Sequence, residues 1–253
     1  MHDGLDPLRR ELDAWAEAGR AAVLWWRDDD AGRLGPPERR MLDLAMREGV
    51  CVFIATPSNA ADAAFVEAVL GAGASARVIQ HGCRHVDHSP KSEKGGWELG
   101  LHRPLEVVLA EQAEGKARLE AAYGPAFRPI MAPPWNRIAP KVAAGLPPLG
   151  FTALSGMEGI TPVVPGLAPL MGHSDPIAWS RGRAFRGPAK VAAELASALA
   201  ARRDGRGASA GGPVGFVTHV WVDDAACEAL TGALLRLVSA HPGARWLRAE
   251  EAP

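Results

Sequence analysis

The sequence predicts an α/β fold in which about seven parallel strands, covered by helices, curl into a closed or nearly closed distorted (β/α) barrel. Three observations carry this. Short apolar runs rich in Val, Ile, Phe and Trp alternate with helical patterns along most of the chain. Prolines open several of the helical stretches and glycines close them, as helix ends require. About seven or eight such units fit into 253 residues, a length that α/β barrels commonly reach as one domain. A flat, doubly wound sheet is the alternative arrangement.

In order, residues 5–18 (LDPLRRELDAWAEA) form an amphipathic helix, expected to pack on the barrel as part of one domain spanning residues 1–253. The strand candidates follow as AAVLWW, VCVFIA, ARVIQ, RPIMA, FTALS, APLMG, VGFVTHVWV and ARWLR. Between them lie the helix candidates PPERRMLDLAMREG, SNAADAAFVEAVLGAG, PLEVVLAEQAEGKARLEAAYG, APKVAAGL, PAKVAAELASALAARR and DDAACEALTGALLRLVSAH. Residues 202–213 (RRDGRGASAGGP) read as a surface loop. Two longer loops hold most of the remaining chemistry: residues 81–103, with four histidines, and residues 155–188, which contain GHSDPIAW. In barrel enzymes the loops after the carboxyl ends of strands carry the reaction.

Composition excludes several classes of function. An apolar fraction of 47%, a charged fraction of 23% and a net charge of −1 describe a globular chain without the basic surface that nucleic acid or an anionic membrane demands. The N-terminal stretch lacks a basic head and an apolar segment, and no run of about 18 apolar residues is available to span a bilayer, so a cytoplasmic location is expected. The three cysteines, Cys51, Cys83 and Cys227, show no CxxC spacing and suggest neither a disulfide framework nor a cysteine zinc site.

Five constellations stand at strand ends. Asp28, Asp29 and Asp30 follow the first apolar run, and adjacent ionised carboxylates are costly to bury unless paired or bound to a metal. His81 and His85, in HGCRH, are spaced to point to one side of a helical turn and hold one ion. His88 and His102 lie nearby with nothing to fix them to the same face. Pro134, Trp135 and Arg137 belong to APPWNR, where adjacent prolines stiffen the backbone. His173 and Asp175 sit in GHSDPIAW, and His219 interrupts the strand-like run VTHVWV. Each alone has a structural explanation. Together, one carboxylate and two histidines make an open catalytic metal site with room for water and substrate.

In this order the motifs RDDDA, HGCRH, APPWN, HSDPIAW and FVTH resemble the polysaccharide deacetylase family, the NodB-like carbohydrate esterases, over roughly residues 21–248. The resemblance implies a distorted barrel of the NodB-homology type and hydrolysis of an acetyl group from a carbohydrate. It implies that the first acid of a pair is general base and the second a metal ligand. The RxDD phrasing favours Asp29 as base and Asp30 as ligand, with Asp28 as base and Asp29 as ligand the alternative register. His81 and His85 would complete the ligand set, His219 would be general acid, and Asp175 would orient it. Trp135, Pro134 and Arg137 would line the substrate and oxyanion side. The ion would be divalent, zinc first, with cobalt, nickel or iron suiting the same ligands.

Two departures stand out. A glycine, Gly82, occupies the position where the family has Ser or Thr. The arginine that tethers the base shortly before Pro-Pro is also missing there, the nearest being Arg128 upstream and Arg137 just after. The expected partner is a small molecule or carbohydrate. Alternative readings are a non-catalytic barrel that stacks sugars on Trp97, Trp135, Trp179 and Trp221, and a hydrolase of another C–N bond.

Overall fold

The computed structural model describes residues 3–93, 95–207, 211–222 and 224–253, so residues 208–210 of the glycine-rich stretch and Asp223 lie outside the described residues. The elements run α1 (Asp6–Glu17), β1 (Ala22–Asp29), α2 (Pro36–Glu48), β2 (Val52–Thr56), α3 (Ala63–Gly71), β3 (Ala76–Gln80), α4 (Leu105–Tyr123), β4 (Phe127–Met131) and α5 (Pro140–Ala144). They continue with β5 (Ala153–Leu154), β6 (Ala168–Pro169), β7 (Gly172–Ser174), β8 (Ile177–Ala178), β9 (Ala184–Phe185), α6 (Pro188–Arg203), β10 (Val214–Thr218), α7 (Ala225–Ala240) and β11 (Ala244–Trp246). Local chemistry sets several boundaries. Pro36 and Pro37 open α2 while the Glu38 carboxylate accepts the Gly35 N–H at 2.9 Å, and Gly49 ends the helix at φ 65°. The Asp62 and Asp224 side chains cap α3 and α7 by accepting N–H groups of their first turns.

The main sheet has the order β6-β5-β4-β3-β2-β1-β10-β7, with β11 also paired to β1, and every pairing in it is parallel. Its edges nearly meet. β6 ends at Pro169 and β7 begins at Gly172, so the chain steps from one edge to the other across Leu170 and Met171. Leu170 N–H bonds to Leu154 O at 3.0 Å, and Met157, just past β5, bridges Gly172. This is the curled, nearly closed barrel expected, with more strands than the seven anticipated. The apolar run APLMG splits in two because Pro169 has no N–H to continue a ladder and the chain changes edges there.

Period-two alternation sorts the core. Trp25, Phe53, Ala55, Ile79, Ile130 and Ala153 fill the barrel interior, where Trp25 meets Phe53 edge-on at 5.7 Å. Leu24, Trp26, Val52, Ile54 and Val78 face outward, beneath helix residues such as Leu42, Phe65, Leu119, Leu195 and Leu234. Leu8, Leu12 and Trp15 of α1 join this outer layer. Adjacent tryptophans thus serve opposite faces, each removing on the order of 150–250 Å² from water.

β1 extends through Arg27, Asp28 and Asp29 because they pair with Val217 and Thr218 on one side and Phe53 to Ala55 on the other. By contrast, β10 stops at Thr218, short of the expected VGFVTHVWV. There the Val220 N–H bonds the Asp28 carboxylate at 3.1 Å and the Val222 N–H folds back to His219 O at 2.9 Å, turning the chain. His219 therefore sits just beyond a strand end rather than inside one. No helix among the described residues is long and apolar enough to cross a membrane.

Candidate active site

Three consecutive carboxylates leave β1 in three directions. Asp28, on the helix-facing side, accepts the Thr218 hydroxyl at 2.6 Å, and the same hydroxyl accepts the Trp26 indole N–H at 2.9 Å. Asp29 continues the inward column and is only 2% exposed. Strict alternation would send Asp30 after Asp28. Instead Asp30 adopts φ 76°, a left-handed conformation that Asp tolerates better than most residues, and its side chain turns toward His81 and His85. Among the described residues, four of the five non-glycine positions with positive φ are Asp30, His85, Trp135 and Asn136, all at this end of the barrel. Such clustering is the mark of a site whose geometry is imposed by its surroundings.

Asp29 is paired with Arg27, two residues earlier on the same strand face. The Arg27 guanidinium is fully buried and donates from Nη2 to Asp29 Oδ2 at 2.9 Å, with Nε 2.8 Å from Oδ1 in ion-pair contact. It also donates to Asn136 Oδ1 at 2.8 Å and to Ser155 Oγ and O at 2.8 and 3.0 Å. Neither arginine singled out from sequence takes this place. Arg128 donates to the carbonyls of Pro125, Phe127 and Ala249 at the start of β4, and Arg137 lies over the Trp97 ring at 5.6 Å. The period-two spacing of Arg27 and Asp29 was the available signal. Asn136 and Ser155, which complete the cradle, carried none.

His81 follows β3 and His85 lies in the loop beyond it. His81 Nδ1 is 2.9 Å from Ala132 O, and since a carbonyl cannot donate, the ring proton is on Nδ1. Its Nε2 then presents a lone pair to Asp30 Oδ1 at 3.2 Å, while His85 Nε2 faces the same oxygen at 3.3 Å. Opposed lone pairs at that distance call for a cation between them. One resolution is a second proton on His81: burial opposes it, yet the bond to Asp30 and the charges of Asp29 and Asp30 raise the His81 pKa overall. For Asp30, burial works against the charge, but His81 chiefly, then His85 and His219, hold its carboxyl well below the usual range. The other resolution is a divalent ion. Asp30, His81 and His85 each offer an atom within 4.8 Å of the others, the one such grouping among the described residues, and the donor set suits a metal with open positions. Trp221 Nε1 bonds the second Asp30 oxygen at 3.0 Å, leaving Oδ1 for the ion.

His219 stands 3.8 Å from Asp29 Oδ2 through Nε2 and 3.5 Å from Asp175 Oδ2 through Nδ1. The Asp175 carboxylate is held by the Ile177 N–H at 2.7 Å and the Trp179 indole at 2.8 Å, and burial raises its pKa despite the His219 charge. The Trp179 ring packs edge-on against His219 at 4.6 Å, and Trp135 lies 4.2 Å from His85. The structure thus gathers Asp29, Asp30, His81, His85, Trp135, Asp175 and His219 at one end of the barrel. His88 and His102 do not join them; His102 instead meets Glu93 at 2.9 Å.

His173, ambiguous in sequence beside Asp175, belongs elsewhere. Its Nδ1 accepts the Gly215 N–H at 2.9 Å and its Nε2 meets Glu158 at 2.6 Å, a pattern a neutral ring satisfies. Burial, outweighing the Glu158 charge and aided by Arg202, pushes its pKa down to about 4. The unfolded chain, with His near 6.5, therefore binds more protons between these values. Stability is full above pH 6.5 and falls by roughly 3 kcal/mol as pH drops toward 4. Denaturant titrations of wild type and His173→Gln should show this slope in the former and a flatter one in the latter; equal slopes would overturn the assignment.

A parallel, nearly closed (β/α) barrel with an Asp-His-His cluster and a buried Arg-Asp pair at the carboxyl ends of its strands defines the class. The fold is that of the polysaccharide deacetylases and family 4 carbohydrate esterases. A polysaccharide deacetylase-like protein from Mycobacterium smegmatis superposes with a TM-score of 0.63 at 17% identity, over 89% of this chain and 86% of that one. A family 4 acetyl xylan esterase from Clostridium thermocellum, solved with a cobalt ion, gives 0.53 at 13% identity over 89% and 87%. A family 4 pseudoenzyme from Bacillus anthracis gives 0.54 at 13% identity, over 90% of this chain and 64% of that one. No protein-family model and no curated protein matches the sequence.

Proposed function

We propose that the chain is a divalent-metal-dependent hydrolase that removes an acetyl group from an N- or O-acetylated carbohydrate. The observation that carries this is the convergence of His81 Nε2 and His85 Nε2 on Asp30 Oδ1 beside an Asp29 locked by Arg27. Asp30, His81 and His85 would hold the ion, with zinc the first choice and cobalt, nickel or iron compatible. When bound, it supplies polarisation of the acyl carbonyl and acidification of a water.

The remaining work falls to the chain. Asp29, fixed in orientation by the Arg27 fork, takes the proton of the attacking water. His219 delivers a proton to the leaving nitrogen or oxygen, with Asp175 presenting it. Trp135 walls the acetyl side beside His85, and its backbone N–H is the donor assigned to the developing oxyanion. The separate directions of the three acids support the register with Asp29 as base and Asp30 as ligand, since Asp28 is spent on Thr218 and Val220. The pseudoenzyme neighbour shows that this fold need not catalyse. Here Asp29, Asp30, His81, His85 and His219 all stand together, and a barrel that only binds sugar has no use for the acid.

Elemental analysis of the purified protein, with acetate release from a panel of N- and O-acetylated sugars, tests the reading. About one ion per chain and chelator-sensitive release are expected, and His81→Ala should lose the ion. Ion retained in His81→Ala sinks the ligand assignment. Ion bound with no acetate released from any sugar moves the reading to another C–N hydrolase or to a binder.

A further inference from the structure

The loop that carries His85 is held from below by a residue outside every motif that defines the site. Glu98 is 2% exposed, and its carboxylate accepts three consecutive backbone N–H groups: Cys83 at 2.9 Å and Arg84 at 2.7 Å on Oε1, and His85 at 2.8 Å on Oε2. Both oxygens are thereby engaged, which removes Glu98 from the list of ligands. A buried carboxylate with three backbone donors is a strong, charge-assisted anchor. It acts on a backbone that needs one, because His85 sits at φ 55°.

The neighbouring residues fit around this anchor. Gly82, where the family resemblance expects a hydroxyl side chain, has φ +60°, and a Cβ there would lie 2.6 Å from Glu98 Oε2 and 2.8 Å from Pro134 Cγ. The glutamate occupies the space that a side chain at position 82 would need. The segment leading to Glu98 makes similarly close approaches. A Cβ on Gly95 would collide with the Arg137 guanidinium, one on Gly96 would lie 2.6 Å from the Trp135 ring, and Trp97 lies under Arg137. Beyond Glu98, Leu99 bridges Ile138 and accepts the Ala139 N–H at 2.9 Å. The stretch GGWEL is therefore pressed against the His85 loop and the Pro134–Arg137 segment at once.

We propose that Glu98 is a positioning residue of the metal centre, holding the His85 loop through its three backbone N–H groups in place of the side chain that Gly82 lacks. The proposal rests on the ion being held by Asp30, His81 and His85. Residues that orient metal ligands typically change affinity by about ten- to a hundredfold when replaced.

Co²⁺ titration of the full-length chain, followed by its visible absorption, tests it. In Glu98→Gln an amide group replaces one acceptor oxygen, and Co²⁺ affinity should fall by about ten- to a hundredfold with a changed absorption band. Glu98→Asp, which keeps the charge but is one methylene short, should fall between Gln and wild type and serves if Glu98→Gln does not fold. Glu158→Gln, which disturbs the buried His173 and Arg202 network away from the ion, should lower thermal stability while leaving Co²⁺ affinity and band unchanged. Wild-type affinity and band in the folded Glu98 variants overturn the proposal. So does an equal loss in Glu158→Gln, since affinity would then merely follow stability. A wild-type chain that takes up no Co²⁺ removes the ligand assignment and this inference with it.

Discussion

Arg27→Met should cost the fold about 3–5 kcal/mol, because it strands the Asp29 carboxylate inside the barrel without its counter-charge. The guanidinium and Asp29 are both enclosed, so solvent cannot replace what is lost. Three further acceptors, Asn136 Oδ1, Ser155 Oγ and Ser155 O, lose a donor as well. For a chain of this size the expected fall in melting temperature is roughly 6–20 °C. Thermal unfolding of the metal-free protein measures it. The accompanying variant is Arg27→Met with Asp29→Leu: removing both charges takes away the uncompensated ion and should restore much of the stability, although turnover stays absent. A double variant as unstable as Arg27→Met alone would show that the loss came from the Asn136 and Ser155 contacts. A single variant as stable as wild type would mean that Asp29 is neutral in the fold and needs no partner.

The same pair shows how far the sequence could be read. The barrel was legible because buried strands and helices leave strong periodic signals, and α6 was bounded correctly at Pro188 and Arg203 by its proline and its apolar spacing. The acids, histidines and tryptophan that the structure gathers at one end of the barrel stand out in the sequence because each follows an apolar, strand-like run. What escaped is carried by backbone direction. Whether Asp30 follows Asp28 or joins Asp29 depends on one left-handed residue, and spacing alone cannot report φ. The Arg27 partnership is hidden because motif order points to an arginine near Pro134, whereas period-two spacing places Arg27 beside Asp29. Glu98 escaped for a different reason. It binds only main chain, 13 to 15 residues away in sequence, so no residue type at the other end marks the contact. APLMG reads as one strand because a strand that ends one sheet edge and a strand that begins the other look continuous when only two residues, Leu170 and Met171, separate them.

On the proposed mechanism, His219→Ala should lower kcat by about 10²- to 10⁴-fold, the usual contribution of a general acid, while leaving ion binding in place. The division follows from geometry. His219 Nε2 faces Asp29 at 3.8 Å and stands outside the Asp30, His81 and His85 cluster, so its removal opens no position on the ion. Its orientation depends on Asp175, whose oxygens already accept the Ile177 and Trp179 N–H groups. Asp175→Asn keeps the shape but turns one acceptor into a donor, setting an amide N–H against either the Ile177 N–H, the Trp179 indole or His219 Nδ1. It should therefore lose turnover by a smaller factor than His219→Ala, with the ion again retained. Combining the two should cost little more than His219→Ala alone, because a residue that acts through the imidazole has nothing to act on once the ring is gone. Metal content and kcat measured together on the three variants check this. Additive losses would mean that Asp175 meets the substrate directly, and loss of the ion from His219→Ala would place that histidine among the ligands.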